Sequence, residues 1–179
     1  MKKQIELFTN SNSLPKIDLR VSLPGSIRKT TLLELASSVE KKDIESCFSK
    51  ITREAPYLFN EVNSKLFKSI DIVKRVTKEI LEDWKKHNVI YMEIVTNLYS
   101  LEGKFNKEEF LLAVLEQINE ENKLSEKFNG RLIISLNKKD NIKDYEEIYN
   151  IYNDLKNEEL KKIIVGIDYS GNINSSKIE

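Results

Sequence analysis

The residues that could do chemistry in this chain stand at the ends of short apolar runs. Arg20 and Ser22 are two apart in Ile17-Asp18-Leu19-Arg20-Val21-Ser22-Leu23. Alternate residues of a strand point to one face, so this pair would act on a common point. Tyr91 and Glu93 repeat that spacing, and Asp168 lies between Gly166 and Gly171. An arginine stays protonated and offers no lone pair, and a neutral serine is a poor metal ligand. The one histidine, His87, follows Lys85-Lys86 and suits a solvated helix end; the one cysteine, Cys47, can form no intrachain disulfide and reads as a helix residue facing the core. No Cys/His or Asp/Glu cluster with metal spacing stands elsewhere. The turn Leu23-Pro24-Gly25-Ser26-Ile27-Arg28-Lys29-Thr30 has neither the dinucleotide fingerprint nor the P-loop spacing.

These residues need a scaffold, and the chain supplies an alternating one. Ile17 to Leu23 reads as a strand with Ile17, Leu19, Val21 and Leu23 on one face, ended by Pro24-Gly25, with Ser26 as a cap. Helices are expected over Thr31 to Val39 and from about Asp43. Leu66, Ile70, Val73, Thr77, Ile80 and Trp84, backed by Phe67, Val76 and Leu81, fall at helical steps that close at Lys85-Lys86-His87-Asn88. Val89 to Val95 is nearly continuous in apolar residues, as in a parallel strand covered on both faces. A helix over Lys107 to Asn122, a strand over Arg131 to Leu136, a helix over Asp144 to Leu160 and a strand over Ile163 to Ile167 follow. The Asp144 helix would turn Tyr145, Ile148, Tyr149, Tyr152 and Leu155 inward. The pattern is that of α/β proteins with βαβ units and a parallel sheet. Residues 1–13 read as a flexible N-terminal arm and 172–179 as a polar tail, leaving one domain over 14–171.

Composition narrows the function classes. With 29 Lys+Arg against 29 Asp+Glu, the balanced charge gives no general attraction to nucleic acid or to an anionic membrane surface. There is no apolar stretch of about 18 residues for a membrane span, and no apolar run behind the N-terminal lysines to make a secretory signal. A cytoplasmic location is the expectation.

Three strand-end segments together resemble the adenosine deaminase family. They are Leu14-Pro15-Lys16-Ile17-Asp18-Leu19-Arg20-Val21-Ser22-Leu23-Pro24-Gly25-Ser26-Ile27, then Tyr91-Met92-Glu93-Ile94, then Val165-Gly166-Ile167-Asp168-Tyr169-Ser170-Gly171. The family's first strand reads Pro-Lys-x-Glu-Leu-His-x-His-Leu-x-Gly-Ser; the others have Tyr-x-Glu-x-Arg and Gly-x-Asp-x-x-Gly. The similarity is greatest to the branch acting on N6-methyl-AMP. It implies a (β/α)₈ barrel, of which this chain holds about four β-α units, or half. It also implies zinc-activated water attacking the purine C6, with His-x-His as two of the zinc ligands. Arg20 and Ser22 stand at those two positions, so no metal and no catalytic residue is assigned to this chain. The family's remaining zinc ligands and catalytic Glu fall beyond the fourth strand. The other zinc deaminase pattern, His-x-Glu with Pro-Cys-x-x-Cys, is absent.

The resemblance leaves Gly171 and Asn137 as vestigial purine contacts, each of which a turn also explains, while Pro24 and Val95 replace polar family positions. Arg131 matches a family arginine and is expected to pair with Glu93 or Asp18. The resulting expectation is a degenerate or truncated adenosine/AMP deaminase-like protein without deaminase activity alone. The alternative is a non-catalytic module that binds a purine nucleoside or nucleotide, or regulates a full-length deaminase. Half a barrel has open edges, so a homodimer or a complementary half-barrel chain is the expected partner. Val21, Ile94 and Ile134 are the expected interior residues at such a junction.

Overall fold

The computed structural model describes residues 13–37, 41–42, 44–45 and 64–171. Four strands form one sheet in the order β1-β2-β3-β4, all parallel: β1 Lys16–Ser22, β2 Val89–Thr96, β3 Asn129–Asn137 and β4 Ile164–Ser170. Between them run α1 Lys29–Leu35, α2 Ile70–Lys86, α3 Lys107–Leu124, α4 Ile142–Asp154 and the single turn α5 Glu158–Lys161. The expected N-terminal arm (but for Ser13), the polar tail, Cys47 and most of the helix placed near Asp43 lie outside the described residues. No helix among the described residues is long and apolar enough to cross a membrane.

Local chemistry sets the helix starts. The Ser69 side chain accepts from the Ile72 N–H at α2, and Asn106 with Glu109 forms a reciprocal capping box at α3. Asn141 with Asp144 does the same at α4. Ser26 caps nothing: it ends a 3₁₀ turn over Pro24–Ser26, and α1 starts behind Arg28 without a side-chain cap. Arg28 instead crosses to α2, where its guanidinium donates two 2.7 Å bonds to Asp83. The Asp83 carboxyl is thereby held below its ordinary range. Lys85 of α2 pairs with the buried Glu121 of α3 and lies 5.8 Å from the Phe128 ring.

The expected helix over Asp144 to Leu160 is two helices. Asn157 accepts from the Glu159 and Leu160 N–H groups and restarts the chain as α5 after Leu155. Of its expected inward residues, Ile148 and Leu155 are buried, while Tyr149 is 66% exposed and Tyr152 is at the surface. Those two tyrosines rim a groove between α4 and β4.

The sheet has a covered outer face and an open inner face, and Gly130 shows which is which. A Cβ there would meet Ile118 of α3 at 3.1 Å, so Gly130 faces the helices. Leu132 and Ile134 share that face, as do Ile94 and Val21 through the register pairs Leu132↔Ile94 and Ile94↔Val21. All four are buried. Val21, Ile94 and Ile134 are therefore core residues beneath helices, not the interior residues expected from the sequence. The inner face carries Ile17, Tyr91, Glu93, Arg131, Ile133, Ser135 and Asp168.

Candidate functional site

The strands' C-terminal ends bring the chemistry-bearing residues together, and a backbone irregularity aims the first of them. Asp18 pairs with Met92 and Val21 with Ile94, so Leu19 and Arg20 together stand opposite Glu93. Such a bulge adds one residue and shifts the alternation. This is why Ile17 and Leu19 are 65% and 58% exposed while Val21 and Leu23 are buried, although all four were expected on one face. The extra residue is absorbed at Arg20, whose φ is 69°. A non-glycine residue is strained in that left-handed region.

From that position Arg20 Nη2 reaches across the open face and donates to Asp168 Oδ2 at 2.8 Å. The same carboxylate oxygen accepts from Ser135 Oγ at 3.2 Å, and Ser135 Oγ lies 2.8 Å from Ser170 Oγ. One ion pair thus spans the first and last strands of the sheet. Ser22, at the other position of the pair, accepts from the Gly25 N–H at 3.2 Å and braces the 3₁₀ turn.

The remaining singled-out residues have local partners. Asn137 Oδ1 accepts from the Lys139 N–H at 3.0 Å, and its carbonyl accepts from Tyr145 Oη at 2.8 Å. Gly171 has φ 151°, and a Cβ there would meet Lys138 Cβ at 3.2 Å and Asn137 Oδ1 at 3.3 Å. The two sit together on one rim, in a turn that demands glycine. His87 ends α2 at the surface, its Nδ1 2.8 Å from the Asp83 carbonyl. Arg131 makes no ion pair among the described residues: Glu93 accepts from Tyr91 Oη, and Asp18 accepts from Trp84 Nε1. The register places Arg131 beside Glu93 on the inner face, while Asp18, on the outer face, is taken by α2. Burial, and then the bond to Glu93, raises the Tyr91 phenol.

Zinc does not fit these residues. Arg20 brings a fixed positive charge, Ser22 has its oxygen engaged by the turn, and Asp168 is the only carboxylate in the cluster. Among the described residues no three His, Cys, Asp or Glu side chains group in a way that could hold a metal ion. Nor is a nucleophile built: Ser135 donates to a carboxylate already bound to a guanidinium, with no imidazole between them. The cluster clasps two strands. Sequence reasoning placed Arg20, Ser22 and Asp168 separately and missed Ser135 and Ser170. Their signal was the Asp168 motif lying at the same strand ends.

No protein-family model matches the chain. It is 28% identical over 190 residues to the N6-mAMP deaminase of Arabidopsis thaliana, covering 89% of this chain and 52% of that protein. It is 30% identical over 175 residues to an adenosine deaminase of Clostridium perfringens, covering 90% and 51%. The crystal structure of Arabidopsis ADAL complexed with GMP superposes with a TM-score of 0.74 at 28% identity, over 91% of this chain and 51% of that one. An adenine deaminase from Arthrobacter aurescens shares the fold alone, with a TM-score of 0.70 at 12% identity. The chain spans about half the length of the curated relatives it matches.

Proposed function

We propose that this chain, a relative of the adenosine and N6-mAMP deaminases over about nine-tenths of its length and half a (β/α) barrel in fold, does not itself deaminate purines. The observation that carries the reading is the Arg20–Asp168 ion pair at the family's first zinc-ligand position. A guanidinium there repels a divalent cation and ties up the nearest carboxylate. Ser22, the second such position, supports a turn. The reaction the relatives' names describe needs an activated water, and these side chains offer nothing to activate one.

The test is zinc content together with turnover. Purified chain dialysed against zinc should retain far less than one equivalent by elemental analysis. Ammonia release from adenosine and from N6-methyl-AMP should equal the enzyme-free blank. Stoichiometric zinc with zinc-dependent ammonia release would overturn the proposal.

A second reading, retained purine binding without chemistry, is favoured by one observation: Asn137 and Gly171 meet on the rim beside Asp168 and Ser170. Titration calorimetry with AMP, adenosine and their N6-methyl forms decides it. Heat that disappears in Gly171→Val supports binding at this rim, and silence with all four ligands removes the reading.

A further inference from the structure

Arg20 brings unused donors to the mouth of the sheet. A guanidinium carries its N–H groups on two edges, each a pair of parallel donors, and it has no acceptor. Among the described residues the Arg20 side chain makes one hydrogen bond, from Nη2 to Asp168 Oδ2 at 2.8 Å. The two edges share no hydrogen, so that bond leaves one whole two-donor edge free. The edge belongs to the same polar chain as the rim. Asp168 accepts from Ser135 Oγ, Ser135 Oγ lies 2.8 Å from Ser170 Oγ, and Ser170 pairs across the ladder with Asn137, beside Gly171. The φ of 69° that aims Arg20 there is a strained backbone conformation, of the kind that collects at ligand sites.

We infer that Arg20 makes this rim selective for 6-oxopurines, the hypoxanthine and guanine forms, over 6-aminopurines. The inference rests on the reading of retained purine binding and names the class of purine. Two parallel donors match two adjacent acceptors. A 6-oxopurine presents O6 and N7 side by side, the pair that an arginine takes bidentately. A 6-aminopurine presents N7 beside an N6–H group, so one of the two donors meets another donor. The serine hydroxyls of the cluster donate or accept and are indifferent to that exchange. An anion is the other partner that a two-donor edge fits. Here Asp168 already balances Arg20, and its carboxylate repels a second anion, so a neutral pair of acceptors is the better match. The resulting preference is the reverse of the one that a site for a 6-amino substrate needs.

Titration calorimetry on the full 179-residue chain compares IMP, GMP and AMP. The three share ribose and phosphate, so the ratio of their affinities reports the base. IMP and GMP should bind roughly ten-fold or more tightly than AMP. Arg20→Lys keeps the charge and loses the two-donor edge, so its ratio should fall to about one. 7-Deaza-GMP lacks N7 and should bind the unsubstituted chain several-fold more weakly than GMP, a readout that needs no variant to fold. AMP bound as tightly as IMP overturns the inference and leaves the reading of purine binding in place. Silence with all the nucleotides removes both. A preference that survives Arg20→Lys, or GMP and 7-deaza-GMP bound alike, overturns the assignment to Arg20. Inorganic phosphate that displaces IMP at equal concentration means that the free edge takes an oxyanion, and overturns it as well.

Discussion

Replacing Arg20 separates the two roles its backbone and side chain play. At φ 69° any residue with a Cβ bears roughly 1–2 kcal/mol of steric strain, which glycine escapes. Glycine in a strand also gives back about 0.5–1 kcal/mol through its greater freedom in the unfolded chain. Arg20→Gly and Arg20→Ala both remove the ion pair with Asp168, so that loss cancels between them. It is small in any case, about 1 kcal/mol or less, because the Arg20 side chain is 61% exposed. The remaining difference favours glycine by about 0.5–1 kcal/mol, the reverse of the usual order within a strand. For a chain of this size that is a gap of about 1–4 °C in Tm. Urea and thermal denaturation of the two variants, at one protein concentration, provide the measurement. Arg20→Ala equal to or more stable than Arg20→Gly would refute the left-handed conformation, and with it the account of how Arg20 is aimed at Asp168.

Lys85→Met should cost about 3 kcal/mol by stranding the buried Glu121 carboxylate, while Lys85→Met with Glu121→Leu should recover most of it in urea denaturation. Gly130→Val should cost about 1–3 kcal/mol, because its Cβ would press on Ile118 at 3.1 Å and Phe128 at 3.3 Å; the urea midpoint of the variant checks this. The depressed Asp83 carboxyl contributes stability that is fully present above its unfolded pKa of about 4 and is lost as pH falls through the lower folded value. Arg28→Ala should therefore lower stability at neutral pH and flatten its further loss below about pH 4, as read from urea midpoints across pH. Tyr99, half-buried against Phe67 and Phe110, has its phenol pushed up to about 12 by desolvation, so the ultraviolet titration of the chain should contain a late component that Tyr99→Phe removes.

The sequence by itself determined the succession of strands and helices, because that information is local. The 3.6-residue spacing through Val73, Thr77 and Ile80 and the unbroken apolar run at β2 require no distant partner to be read. It also limited the chemistry open to the site, since Arg20 and Ser22 lack the donor lone pairs of imidazoles wherever the chain places them. Only the tertiary structure decided which face of each strand is inside. Alternation assigns residues to two faces without saying which one helices cover, and so Val21, Ile94 and Ile134 were assigned to the interior when they lie buried on the helix-covered face. The bulge at Arg20 was likewise invisible, because one added residue in a ladder leaves no mark in composition and is set by the register against β2. Pairing of Arg20 with Asp168, 148 positions away, depends on the curl accumulated over four twisted strands, a property of the assembled sheet that no single strand carries.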